Sequence, residues 1–254
     1  LGTQAITVAL TRPRGVDSAL AEKLRSAGFA VLDCAMTQIG PATAAEMAHA
    51  HAVCAAADAI VLVSPQAVKA ALTEMPDILR SKPVAVMGPS SRAVLMAAGV
   101  PAAQIVESQT QDAMGLAEHV LNLLSAGACV AIARAQTGRD DLARALSAHG
   151  LMVNFVTLYH RDELAWPREL PSTLMQVAQQ DLRILFTTSS APEAFVTRLR
   201  GAEVQHLAQF VNSTAAHCTH PNVAQAARDA GFLRVFTHLG DESTWLASLQ
   251  SVYE

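Results

Sequence analysis

Almost from end to end, short aliphatic runs alternate with stretches in which apolar residues recur every three or four positions. This alternation limits the possible folds more than any other feature. A strand that passes through a helix before the next strand must return parallel to it, so the chain should form a mostly parallel sheet covered by helices. Strand-like runs lie at 5–10, 29–34, 59–63, 83–87, 104–106, 128–133, 152–158, 183–187, 208–211 and 234–237. Between the first two, Leu20 and Leu24 stand one turn apart in a helical stretch from Asp17 to Ala27 that stops at Gly28; Gly150 ends the stretch from Asp140 to His149 in the same way.

Those two glycines expose a diverged internal copy. A shift of 122 carries Val8, Arg12, Leu20, Leu24, Gly28 and Val31 onto Val130, Arg134, Leu142, Leu146, Gly150 and Val153. A shift of 124 carries Ile60 to Ala67 onto Ile184 to Ala191, and Ser90 onto Thr214. Each half reads strand, polar turn, helix, and four such features in order at nearly one register indicate duplication.

Composition narrows the function. With 254 residues there is room for two ordinary domains. A hydrophobic content of 51%, a charged content of 16% and a net charge of −4 exclude a disordered chain and a nucleic-acid binder that works by bulk positive charge. The longest apolar runs, Ala59 to Val63 and Val84 to Met87, are far below the roughly 20 residues that cross a bilayer, so no membrane partner is expected. Four cysteines, Cys34, Cys54, Cys129 and Cys218, form no C-x-x-C pair and read as buried thiols in a reducing compartment. No charged-then-apolar leader precedes the first strand, and a cytoplasmic location is the expectation.

Composition breaks fall at Met36 to Ala42 and at Tyr159 to Pro171 rather than midway along the chain. The domains expected are therefore a discontinuous one from 1–36 plus 166–254 and an inserted one from 41–158. Crossings at 37–40 and 159–165 would join them.

In open α/β sheets, ligands bind beyond the carboxyl ends of the strands, where loop amides and helix N-termini converge. The residues there read Arg12 after the first strand, then Ser64, Ser90 with Ser91, Arg134, Thr187-Thr188-Ser189 and Ser213-Thr214. Hydroxyls with a few arginines suit carboxylates or phosphates, although Ser and Thr also cap helices without any ligand. No G-x-G-x-x-G follows the first strand, and no phosphate loop or G-x-S-x-G elbow occurs. His217-Cys218-x-His220 has no partner cluster that would complete a zinc site. What remains is a two-lobed binder of a polyanion with no evident cofactor.

Taken in order, these landmarks resemble the uroporphyrinogen-III synthase family over nearly the whole chain. The matching segments are Leu10-Thr11-Arg12-Pro13, Val63-Ser64-Pro65, Gly88-Pro89-Ser90-Ser91, Arg134 with Gly138-Arg139, Leu158-Tyr159-His160-Arg161, Phe186-Thr187-Thr188-Ser189 and His220-Pro221-Asn222-Val223. Ser91 stands where Thr is usual, Thr188 where Ser is usual, Ala135 where Gly follows the arginine, and Asn222 where Arg is found. The first two keep a hydroxyl; the last two weaken the case that those loops touch substrate.

The resemblance implies an α/β fold of two similar parallel-sheet, flavodoxin-like domains joined by a two-stranded β-ladder, one of them discontinuous. It also implies closure of hydroxymethylbilane, a linear tetrapyrrole with eight carboxylates, to uroporphyrinogen III with inversion of ring D, in tetrapyrrole and haem biosynthesis. Loss of the terminal hydroxyl gives an azafulvene, which passes through a spiro intermediate. No cofactor and no metal is implied, and the expected form is a monomer with at most a transient contact with the enzyme of the preceding step. Tyr159 is the choice for the acid that assists departure of the hydroxyl, because a phenol is protonated at neutral pH and can donate to the leaving group. Arg12, Ser64, Ser90, Ser91, Arg134, Thr187, Thr188, Ser189, Ser213 and Thr214 are the expected substrate-binding residues. The other reading is a non-catalytic two-lobed binding protein for a polyanionic small molecule.

Overall fold

A computed structural model describes residues 6–16, 19–108, 110, 112–138, 140–238 and 242–250. The chain divides into two compact units, one made of 1–39 and 162–254 and the other of 40–161.

In the discontinuous unit the sheet order is β11-β10-β9-β1-β2, all parallel. The strands are β1 (Thr7–Leu10), β2 (Ala30–Asp33), β9 (Leu182–Phe186), β10 (Ala215–Cys218) and β11 (Arg234–Thr237). The central β9, Leu-Arg-Ile-Leu-Phe, is buried along its whole length, whereas the edge strands β2 and β11 have exposed ends. That difference is why the central strands lack polar alternation. Helix α1 (Ala19–Ser26) buries Leu20 and Leu24 against Val8 and Leu185. On the other face, α8 (Leu170–Ala178), α9 (Ala191–Gly201), α10 (Leu207–Ser213) and α11 (Pro221–Asp229) build a core in which Trp166, Phe195, Phe186 and Phe232 meet edge to face. A last helix, α12, spans Glu242–Gln250.

The continuous unit carries the order β3-β8-β7-β4-β5-β6. Its strands are β3 (Thr37–Pro41), β4 (Ala59–Leu62), β5 (Val84–Val86), β6 (Ile105–Glu107), β7 (Cys129–Ala135) and β8 (Met152–Glu163), with α2 (Ala44–Ala56), α3 (Pro65–Glu74), α4 (Pro76–Ser81), α5 (Pro89–Ala97), α6 (Ala113–Leu123) and α7 (Asp141–Ala148) between them. All described pairs among β4, β5, β6, β7 and β8 are parallel. The chain passes between the units inside β3 and inside β8, which are neighbours in this sheet.

Five strands of each sheet correspond in order, and β3 of the continuous unit has no counterpart. β2-β1-β9-β10-β11 matches β8-β7-β4-β5-β6, and in both units a pair of helices fills the connection after β4 or β9. The chain simply enters this arrangement at a different strand in each unit. Gly28 and Gly150 sit at φ +91° and +84°, the left-handed geometry that ends a helix and favours glycine.

Two strands differ from expectation. The run 208–211 is helical, within α10, because Leu207, Phe210 and Val211 follow the i, i+3, i+4 spacing and the last two are buried. The strand comes later, at Ala215–Cys218, where small residues and a histidine hide it. The break expected at Met36 to Ala42 contains β3, despite Gly40-Pro41. The cysteines are free thiols, and burial pushes Cys34 and Cys218 up to about 12 and Cys54 up to about 11.

Candidate active site

Each sheet has one point where the chain changes direction of travel across it. In the discontinuous unit this lies between β1 and β9; in the continuous unit it lies between β4 and β7. Crevices at the carboxyl ends of such strand pairs are where open α/β sheets take their ligands.

At the first point the structure brings Arg12 together with Thr187, Thr188 and Ser189, because Leu10 is paired with Leu185 and both chains leave the sheet there. Thr11 ties the two exits: its buried hydroxyl donates to Leu185 O at 2.9 Å. Thr187 and Thr188 are half-buried and Ser189 and Ser190 are exposed. None of these four hydroxyls hydrogen-bonds to a described residue, and Ser190 precedes α9 without capping it through its side chain. The loop therefore presents hydroxyls beside the positive end of an 11-residue helix.

At the second point Ser64 caps α3: its Oγ accepts from Ala67 N at 3.1 Å. Tyr159 lies inside β8, which runs on to Glu163, and it is 6% exposed. Its Oη stands 3.1 Å from Ser64 Oγ. A register shift between Arg134 and Ala135 makes this contact possible, since Arg134 pairs with Thr157 but Ala135 pairs with Tyr159. Leu158 is the extra residue, and the bulge moves Tyr159 onto the face of the sheet that Ala135 occupies. Leu62 pairs with Ala133, and the chain reaches Ser64 two residues beyond that pair, as Ala135 lies two residues beyond it on β7 and pairs with Tyr159.

Beyond the bulge the side chain of Gln136 continues the ladder, with its amide donating to Arg161 O at 3.2 Å and accepting from Arg161 N at 2.9 Å. His160 Nε2 meets Glu46 Oε2 at 2.7 Å, and that same oxygen accepts from Thr43 N in the capping box of α2. The hydrogen bond from His160, followed by those from Thr43, lowers Glu46 to about 2.

The other expected site residues fall out differently. Ser90 and Ser91 begin α5, beyond β5, with Ser90 exposed and Ser91 buried. Arg134 is within β7 rather than in a loop. It donates to Asp140 at 2.7 Å, and its guanidinium covers the Phe155 ring at 3.6 Å. Its partner motif residue Arg139 lies outside the described residues.

Ser213 and Thr214 do not join the set. They precede β10 rather than follow a strand, so they lie at the amino end of the sheet, opposite Thr187 to Ser189. The repeat shows why the expectation failed: Pro89 of α5 corresponds to Pro221 of α11, a shift of 132 instead of 124, and Ser90 corresponds to Asn222. The residues that follow β10 are Thr219 and His220, whose ring caps α11 by accepting from Asn222 N. A strand followed by a Pro-initiated helix, as at Val86 to Pro89, was the available signal. Ser213 instead borders a groove of about 700 Å³ between α8 and α10, lined by Met175, Gln176, Val204, His206 and Phe210 among others. No lining residue directly follows a strand, which separates this groove from the loops described above.

A family model described as uroporphyrinogen-III synthase HemD matches residues 18–238. A uroporphyrinogen-III synthase of Synechococcus elongatus is 30% identical over 72% of this chain and 70% of its own. Among solved structures, the chain is similar to a mutant uroporphyrinogen III synthase of Thermus thermophilus, with a TM-score of 0.62, 19% identity and coverage of 96% of this chain and 97% of that one. It is also similar to the uroporphyrinogen-III synthetase of Helicobacter pylori, with a TM-score of 0.61, 14% identity and coverage of 96% and 98%. The two structures share the fold of this chain.

Proposed function

This chain belongs to the uroporphyrinogen-III synthase family, and from that premise we propose how its own residues close hydroxymethylbilane to uroporphyrinogen III. The activity is that of a lyase of porphyrin biosynthesis, and the observation that carries it is the family match over residues 18–238 of a chain with this duplicated fold. The non-catalytic binding-protein reading has no observation in its favour.

The substrate loses one water and is neither oxidised nor reduced, so its balance calls for no redox cofactor. The C–O bond of the terminal hydroxymethyl group breaks with its electron pair on oxygen, which takes a proton and leaves as water. The cationic azafulvene is attacked by the substituted carbon of ring D, and the rearranged macrocycle finally gives a proton back. Tyr159 is the acid in this scheme: its phenol is buried and held at one atom, and a phenolic O–H can donate to a leaving oxygen. Arg12, Thr187, Thr188 and Ser189 are the candidates for holding carboxylates, because a cation and unengaged hydroxyls meet there at a sheet switch point. Ser90 and Ser91 supply a second hydroxyl pair at a helix start. Ser213 and Thr214 are omitted. Arg134 is assigned to support of the β7–β8 pair through Asp140 and Phe155.

The test is incubation with freshly made hydroxymethylbilane and separation of the products. The expected result is the III isomer in excess. An isomer mixture identical with and without the protein would sink the assignment.

A further inference from the structure

We propose that Ser64 is a positioning residue that aims the Tyr159 phenol, its hydroxyl donating to Tyr159 Oη so that the phenolic proton points away from the protein toward the leaving oxygen. The inference rests on Tyr159 being the acid. It adds a direction to the hydrogen bond, since either oxygen in the 3.1 Å contact can donate.

The direction follows from what else touches Ser64. Its Oγ already accepts the Ala67 N–H at the start of a ten-residue helix. An oxygen that accepts one hydrogen bond beside a helix N-terminus is a poorer second acceptor and a better donor, so bonds of one polarity reinforce each other. The resulting chain runs from Ala67 N–H to Ser64 Oγ–H to Tyr159 Oη–H. The phenol oxygen has lone pairs to accept Ser64, and among the described residues it has no other partner.

The reverse direction would aim the phenolic proton into the helix cap, where no reacting atom can stand. In the proposed direction, the phenol passes its proton to the departing hydroxyl, and the phenolate that remains keeps the Ser64 hydrogen bond at the positive end of α3. It recovers a proton when the rearranged macrocycle releases one, so the enzyme ends as it began. The bulge at Leu158 belongs to the same device, since it sets the register that pairs Tyr159 with Ala135, two residues past the Leu62–Ala133 pair.

Only two tyrosines occur in the sequence, Tyr159 and Tyr253, so Tyr253→Phe leaves Tyr159 as the sole tyrosine. The ultraviolet resonance Raman tyrosine doublet then reports whether this one phenol accepts or only donates. Three substitutions separate capping from donation: Ser64→Ala loses both, Ser64→Asp keeps a good cap but when ionised has no proton to give, and Ser64→Thr keeps both. The expected pattern is a phenol that accepts in the parent and in Ser64→Thr and becomes donor-only in Ser64→Ala and Ser64→Asp. Turnover should follow, with kcat down about tenfold or more in the last two at nearly unchanged KM, and recovered in Ser64→Thr.

A donor-only doublet in the parent, or one that Ser64→Ala leaves unmoved, overturns the proposal while a slow Tyr159→Phe enzyme would leave the acid assignment standing. Full turnover by Ser64→Asp would also overturn it, by showing that the cap alone matters. Parental turnover by Tyr159→Phe would overturn both readings together.

Discussion

Tyr159 carries the acid step proposed for this chain, and that role can be isolated by removing one functional group. Tyr159→Phe deletes a single hydroxyl and keeps a ring that is 6% exposed, so the fold should survive. Loss of a general acid costs on the order of 10² in rate or more, and a leaving group on a carbon activated by a pyrrole argues for the lower end. The expected outcome is slowed turnover with the III isomer still formed, read from single-turnover product analysis beside a melting curve. Glu46 offers a separate test on the β8 side of the same unit. Its carboxyl is lowered to about 2 from an ordinary 4.5, so the stability that its charge contributes is complete above about pH 4.5 and is lost as pH falls through about 2. Glu46→Gln keeps a capping-box residue but no charge. Its urea midpoint should lie below that of the parent at pH 6, and the gap should narrow steadily from pH 4.5 toward pH 2.

At the scale of single elements, the repeat makes matched comparisons possible. Gly28 and Gly150 end equivalent helices in nearly the same left-handed geometry, yet an added Cβ meets nothing within 4 Å at Gly28 and stands 3.2 Å from Ala126 Cβ at Gly150. Alanine at either site should cost about 1 kcal/mol for the backbone alone. Gly150→Ala should cost more, because the Ala126 side chain must also give way; equal losses in chemical denaturation would show that the neighbour is irrelevant. Sequence reading reached these caps, most of the strands and the Arg12 and Thr187 loops because each carries its own local signal. It missed β10 because Ala-Ala-His-Cys is buried between β9 and β11 and is held there by tertiary packing rather than by β-propensity. It took Phe210-Val211 for a strand because two adjacent β-formers outweighed the helical spacing from Leu207. The bulge at Leu158 left no mark in the sequence, and without it Tyr159 and Ser64 could each be named but not paired.

At the scale of the whole molecule, the five-strand match between the sheets means that one arrangement has been reached through two chain paths. The continuous path uses 40–161 and encloses its own core of Val61, Leu116, Val120, Val130, Ile132, Leu142 and Leu146 without borrowing a residue from elsewhere. The discontinuous path needs β1 and β2 from one end of the chain and β9, β10 and β11 from the other, and its core joins Ala9 and Cys34 to Phe186, Phe195 and Phe232. Loop closure over the inserted unit costs entropy that grows only slowly with length, and a folded insert with its ends at neighbouring strands reduces the search further. The segment 40–161 expressed alone should therefore unfold cooperatively, with slowly exchanging amides in β4, β5 and β7. The segments 1–39 and 162–254 should each remain unstructured alone, and should form a common set of protected amides in β1 and β9 only when joined by a short linker in place of the insert. A 40–161 fragment that binds a hydrophobic dye and melts without a transition would show that its core is incomplete, and that the insert depends on the rest of the chain.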